Sequence, residues 1–320
     1  MKKRFPAILS VLILLSLQGT FAAERISIGV TNPNMSFLPG RVAVKKGFFK
    51  EEGIEAEVIQ MRVPVMITAI STGDLDYTMI FGSVVRAALR GLPVRVVASL
   101  LDGSTHALVS LPEFKSVREL KGRSLGIESY GSTADVAARM IFRHFGVDPD
   151  KEIKVLALGS DQARLAALKE KLVQVIVVAS PADEEGKKMG FPILARAYDV
   201  FQFPFIGLGT NLRKIRERPD EVKRVIKALI KANGFIRQRR DEGVQILAEW
   251  GKVDLRVAAA AYDSSVKVFS PDGTVPAEGL RLVVEQAKKE AGITRDVSPS
   301  EVFEPAMLRE AQRELGVKGR

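Results

Sequence analysis

The sequence contains no cysteine, two histidines and a single tryptophan. The missing thiols exclude disulfides, thiolate metal sites and a cysteine nucleophile, and with them the lipid-modified cysteine that can tether an exported chain to a membrane. His106 and His144 form no H-x-x-x-H pair, and there is neither an EF-hand loop nor a G-x-x-x-x-G-K-[ST] phosphate loop. No metal and no cofactor are expected. Also missing is any run of about 18 uninterrupted apolar residues, the minimum for a membrane-spanning helix.

What is present begins with an export pattern. Lys2, Lys3 and Arg4 precede an apolar run from Ala7 to Leu17, which is too short to span a bilayer, and the small residues Thr20, Ala22 and Ala23 follow it. Residues 1–23 read as a signal peptide cleaved near Ala22 or Ala23, which leaves a periplasmic chain without a lipid anchor. Loss of the three basic residues lowers the formal charge from +10 to +7. Much of the remaining excess lies between Arg213 and Arg240, where eleven Lys or Arg face three acidic residues. Without interleaved aromatics or a recognition motif this reads as a solvated helix face, and nucleic acid is not an expected partner.

Short strand-like runs alternate with helical patterns up to about residue 210, which argues for parallel sheets covered by helices, an α/β architecture. The expected strands are RISIGV, EAEVIQ, DYTMI, RVVASL, HALVSL, SLGIE, IKVLAL, VIVV, PILARA and FIGLG. Between them, apolar residues recur at helical spacing, as in Val84, Val85, Ala88 and Leu89 or Val136, Met140, Ile141 and Phe145. After Thr210 a helical tract runs to the C-terminus, with breaks at Arg218 to Glu221, Trp250 to Asp254 and Ser270 to Pro276. The chain thus leaves one lobe, builds a second and returns: 24–104 plus 205–320 form lobe 1 and 105–204 form lobe 2, with hinges near 101–107 and 200–205.

Ligands of open α/β sheets collect beyond the carboxyl ends of the strands, where helix N-termini present unpaired N–H groups. The loops expected there are short, polar and small. Asn32, Asn34 and Ser36 follow the first strand, with Ser36 a candidate helix cap. Gly82 and Ser83 open a helix with bare backbone, Asp102 lies in the first crossing, and Gln202 lies in the second. In GIESYGSTAD, Gly131 permits close approach, Ser132 or Thr133 can cap, and Tyr130 offers a flat wall, as Phe81 and Phe203 also do. A serine-nucleophile reading of Ser132 lacks both the G-x-S-x-G elbow and a placed histidine.

Four segments carry a family resemblance: VAVKKGFFKEEGIEAEVIQ (42–60), ISTGDLDYTMIFGSVVRAALRGLPVRVVASL (70–100), SVRELKGRSLGIESYGSTADVAARMIFRHFGVDPDKEIKVLAL (116–158) and LKEKLVQVIVVASPADEEGKKMGFPIL (168–194). With these the chain resembles the ABC-transporter solute-binding proteins of the sulfonate, nitrate and taurine type, which share their fold with the thiamine-pyrimidine precursor synthases. The resemblance implies a bilobal, periplasmic-binding-protein-like fold with a helical C-terminal tail. A monomer closes its lobes on a small anionic, zwitterionic or flat heterocyclic solute and delivers it to an ABC permease in the inner membrane.

Carried over by the resemblance, the ligand-binding residues are Asn32, Asn34, Val63, Pro64, Gly82, Ser83, Tyr130, Gly131, Ser132, Thr133 and Ser180. Two segments depart from the pattern: EKLVQVIVV has Gln174 where relatives read G-x-x-D-A, and TNPNMSFLPG is this chain's own first loop. The rival classes are an enzyme of pyrimidine-precursor synthesis, which uses a cysteine-rich segment absent here, and a ligand-sensing partner of a membrane receptor.

Overall fold

The computed structural model describes residues 23–320, so the expected signal peptide lies outside the described residues apart from Ala23. All ten expected strands form: β1 (Glu24–Val30), β2 (Ile54–Gln60), β3 (Tyr77–Thr78), β4 (Val94–Leu101), β5 (His106–Ser110), β6 (Ser124–Ile127), β7 (Lys154–Ala157), β8 (Val175–Ala179), β9 (Ile193–Arg196) and β10 (Ile206–Asn211). They make two five-stranded sheets, ordered β2-β1-β3-β10-β4 and β7-β6-β8-β5-β9. β4, β5 and β8 are buried almost throughout because both faces of each sheet are covered, which is why they read as continuous apolar runs.

The sheets are mixed rather than parallel. β10 runs antiparallel to β3 and β4, and β5 runs antiparallel to β8 and β9. Connectivity explains the reversal. β4 ends at the junction between the sheets, so the strand that enters the second sheet from that junction must run away from it. β10 does the same on the way back.

β10 also needs its glycines. A Cβ on Gly207 would lie 2.6 Å from the Ala98 carbonyl oxygen and 2.6 Å from the Phe81 ring. Only a hydrogen atom fits between strand and helix there.

The C-terminal tract is helical as expected: Leu212–Glu217, Pro219–Gln238, Arg240–Gly251, Leu255–Ser265, Ala277–Ala291 and Ala306–Leu315. It has two more interruptions than the sequence suggests, at Arg239, whose backbone leaves the helical region, and between residues 292 and 305. Its basic stretch is not a free cationic face. Lys214 pairs with Asp76 (2.6 Å) and Glu221 (2.8 Å), Lys227 with Glu52 and Glu314 (both 2.9 Å), Lys231 with Glu52 (2.7 Å), and Arg218 and Arg224 with Glu24. Apart from Glu221, the acids come from distant parts of the chain. An exposed pair such as Arg218 with Glu24 is worth roughly 0–1 kcal/mol, whereas the Glu52 and Glu221 side chains are themselves buried and depend on their lysines for compensation.

One helix is rotated from the expected stripe. In Thr133–His144 the fully buried residues are Ala134, Ala137, Ala138, Ile141 and Phe142, whereas Val136 and Met140 are half-buried. Three alanines let the helix lie close on the second sheet, and this turns Val136 toward the first. Among the described residues no helix is long and apolar enough to cross a membrane.

Candidate functional site

Four elements far apart in sequence enclose a cavity of about 30 Å³ at the junction of the two sheets. Gly82, Ser83 and Arg86 come from helix Gly82–Leu89 beside the first sheet, and Thr133 and Val136 from helix Thr133–His144 beside the second. Phe203 and Phe205 come from the return crossing, and Val283, Gln286 and Ala287 from helix Ala277–Ala291 of the tail. Every side of the molecule thus supplies a wall.

Helix Gly82–Leu89 starts without a side-chain cap, so its first N–H groups are left for another acceptor. The facing helix is capped internally: Ser132 Oγ accepts from Asp135 N (3.3 Å), and the Asp135 carboxylate accepts from Gly131 N (2.8 Å). Gly131 takes a left-handed conformation (φ +72°) there, which favours glycine.

A wider groove of about 760 Å³ adjoins the cavity and shares Ser83, Arg86 and Gln286 with it. Arg86 bridges the sheets. Its guanidinium donates to the Gly131 carbonyl oxygen and to Ser83 Oγ (2.9 Å) and pairs with Glu290 (3.0 Å). Burial pushes its pKa below the ordinary value, with Glu290 opposing that shift.

Behind the cavity the sheets meet through buried polar groups. Asn34 Nδ2 donates to Asp161 Oδ2 (2.9 Å), Met35 N to the Ser180 carbonyl oxygen (2.7 Å), and the hydroxyls of Ser36 and Thr105 lie 2.5 Å apart. Asp161 is ion-paired with Arg164, whose side chain is only 1% exposed. Burial pushes the nearby Glu128 carboxyl up to about 7, against the pull of Arg164 and with Asp161 adding to the rise, although the Thr31 hydroxyl bonds to it. Burial likewise pushes the His106 imidazole down to about 4, Asp161 opposing and Arg164 adding. Asn32 Oδ1 and Arg164 Nε are buried there without a partner.

The structure distributes the expected ligand residues over these features. Gly82, Ser83 and Thr133 line the cavity. Val63, Pro64, Tyr130 and Gly131 line the wider groove, where Tyr130 is 64% exposed and its hydroxyl donates to the Val155 carbonyl oxygen (2.9 Å). Asn32, Asn34 and Ser180 belong to the buried polar contact behind it. Phe81 is fully buried against Gly207, and Ser132 is occupied as a cap. Gln202 sits on a shallower groove with Phe201 and Leu282.

Asp102 is turned away from all of these, because its carboxylate accepts from Arg320 (2.5 Å) at the end of the tail. Ser36 does not cap the first helix, Leu38–Lys45, which starts without a side-chain cap; Asn34 caps the 3-10 turn Met35–Phe37 that precedes it, accepting from Ser36 N (3.1 Å). His106 Nδ1 is 2.9 Å from Ser104 Oγ and its ring packs on Phe205, so it has no contact with Ser132. Among the described residues no group of His, Asp or Glu is arranged to hold a metal ion.

Arg86, Arg164, Glu128 and the tail helix Ala277–Ala291 were not anticipated from sequence. The available signal was a lone arginine inside an otherwise apolar helix, VVRAAL at 84–89.

Residues 34–242 match the NMT1/THI5-like family. The chain belongs to that family. Among its relatives, a Brucella abortus protein designated a binding protein is 25% identical over 225 residues, which cover 67% of each chain. The 4-amino-5-hydroxymethyl-2-methylpyrimidine phosphate synthase of Saccharomyces cerevisiae is 23% identical over 222 residues, 64% of each.

Two solved structures share the family's fold. The periplasmic nitrate-binding protein NrtA of Synechocystis PCC 6803 superposes with a TM-score of 0.79 at 16% identity, covering 92% of this chain and 90% of its own. The alkanesulfonate-binding protein SsuA of Xanthomonas axonopodis pv. citri, bound to MOPS, gives 0.74 at 16% identity, covering 89% and 100%. The fold is therefore that of the periplasmic binding proteins.

Proposed function

We propose that the protein is the extracytoplasmic solute-binding component of an ABC importer and acts as a monomer without catalysis. It closes lobe 1 (24–104 and 205–320) and lobe 2 (105–204) on a small solute, which it presents to a membrane permease. The observation that carries this reading is the cavity at the junction, walled by a helix N-terminus from each sheet, by the return crossing and by the tail. Such a site forms only when the lobes meet, so a solute that contacts all four walls favours the closed arrangement by its extra contacts. Family membership and the fold of NrtA and SsuA support the same reading.

Thermal-shift screening of sulfonates, carboxylates, amino acids and pyrimidines, followed by small-angle scattering with each hit, tests it. A hit is expected to lower the radius of gyration and raise the melting temperature. A hit that leaves the radius unchanged, or that is turned over during the assay, argues against a closing binder.

A further inference from the structure

The junction between the sheets sets a neutral surface against a charged one. From the first sheet comes the loop TNPNMS (31–36), which carries hydroxyls and side-chain amides but no ionisable group. From the second come two carboxyls, Glu128 just after β6 and Asp161 at the start of helix Asp161–Lys169, and one guanidinium, Arg164. Hydrogen bonds cross the junction from Thr31 to Glu128, from Asn34 Nδ2 to Asp161 Oδ2 (2.9 Å) and from Met35 N to the Ser180 carbonyl oxygen (2.7 Å).

The charges there do not balance. Arg164 is matched by Asp161 and the Gly159 carbonyl oxygen. Glu128 forms no ion pair among the described residues and feels Arg164 only at longer range, so its ionised form leaves one negative charge in excess. The surrounding groups supply no cation. His106 on β5 is bonded to Ser104, packed on Phe205 and kept neutral by burial, which holds it at about 4. On helix Ala182–Lys188, Asp183 and Glu184 are both paired with Arg196, while Glu185 is a further acid, pushed up by burial and Asp161 with Lys188 opposing.

Protonation of Glu128 removes the excess and adds an O–H donor. The facing loop holds an acceptor that lacks a partner, Asn32 Oδ1, on a side chain only 3% exposed. Asn32 Nδ2 donates to Thr31 Oγ1 (3.3 Å), and the Thr31 hydroxyl bonds in turn to Glu128. When the lobes part, water reaches both faces and the carboxyl ionises in its ordinary range.

Resting on the binding function above, we infer that closing the lobes takes up a proton at Glu128, so that acidification favours the closed, solute-holding form and alkalinity opens it. A carboxyl held at about 7 in the closed form and near an ordinary 4.5 when solvated favours closure fully below 4.5, and that preference is lost as pH rises through 7.

The chain has no cysteine, so Val65→Cys on lobe 1 and Leu156→Cys on lobe 2 give unique dye sites at exposed positions next to Pro64 and Val155, on either side of the groove. Single-molecule energy transfer between the dyes counts open and closed molecules without any solute. From pH 8.5 to pH 5 the closed-to-open ratio is expected to rise at least about tenfold. Glu128→Gln should hold the ratio level across that range, near the parent's value at pH 5. A single distance or a constant ratio in the parent overturns the inference, as does a slope that survives Glu128→Gln, which would assign the proton to Glu185. Opening on acidification overturns it too, that being the sign His106 would give. The binding function itself falls only if no screening hit changes the dye distance or the scattering radius at any pH.

Discussion

Replacing Asp161 with alanine is expected to destabilise the protein by about 3–5 kcal/mol, which lowers Tm by roughly 6–12 °C in a chain of this size. The carboxylate makes three bonds at once: one oxygen accepts from Arg164 and from Ala179 N (3.2 Å), and the other accepts from Asn34 Nδ2 (2.9 Å) across the junction. Arg164 is almost wholly enclosed, so losing its counter-charge leaves a guanidinium in low dielectric with the Gly159 carbonyl oxygen as its remaining hydrogen-bond acceptor and with Glu128, a carboxyl that burial keeps largely protonated, nearby. Breaking one half of a buried pair is costly for that reason, whereas removing both halves is often tolerated. The double variant Asp161→Leu with Arg164→Met should therefore recover most of the loss. A Tm within 2 °C of the parent for Asp161→Ala, measured by calorimetry, would show that the pair contributes little.

Glu128→Gln is expected to stabilise the protein at pH 8 by on the order of 3 kcal/mol and to change nothing at pH 4. The Glu128 carboxyl is held at about 7 against an ordinary 4.5, so between those values the folded state keeps a proton that the unfolded state has released. Stability is therefore full below 4.5 and is lost as pH rises through 7. His106 works in the opposite sense. Held at about 4 against an ordinary 6.5, it stays neutral in the folded protein while the unfolded state gains a proton, so stability falls as pH drops through that window.

In the parent the two slopes overlap between pH 4.5 and 6.5 and oppose each other. Glutamine keeps an acceptor for the Thr31 hydroxyl but removes the ionisation, which unmasks the histidine slope. Denaturant titrations across pH 4–8.5 should show the parent losing stability above pH 6.5 and the variant holding level there. A variant that tracks the parent at pH 8 would place the titrating group elsewhere.

Much of this molecule was legible in its sequence, for reasons that can be named. Strands such as VRVVASLL and VIVVA announce themselves because both faces are covered and β-branched residues fill them. The helical tail was visible in its 3.6-residue period and in its breakers at 218–221, 250–254 and 270–276. Strand direction was not, because the reversal of β5 and β10 follows from where the chain crosses between sheets and leaves no mark on local pattern.

The same limit applies to the site. Small loop residues such as Gly82, Ser83 and Thr133 could be picked out by the freedom they give the backbone near a ligand. Arg86 and Arg164 could not, since a charged residue in a helix ordinarily faces water, and local pattern shows neither that Arg86 reaches across to Gly131 nor that Arg164 is buried against Asp161 and the Gly159 carbonyl. The five residues of the tail helix at the cavity and its groove, Val283, Gln286, Ala287, Lys289 and Glu290, lie about 200 positions from the helix they meet, a proximity that no local pattern carries.

The place of β10 in the first sheet bears on how the molecule is made. In the order β2-β1-β3-β10-β4, strand β4 reaches its own sheet only through β10. A chain emerging from its N-terminus has therefore synthesised four strands of that sheet by residue 101 yet cannot join the fourth to the other three until residues 206–211 have appeared. The second sheet suffers no such delay, because all its strands fall within residues 106–196. The half of the protein that begins first is the half that must finish last, and its closing contacts span more than a hundred residues, the kind of long-range pairing that slows folding.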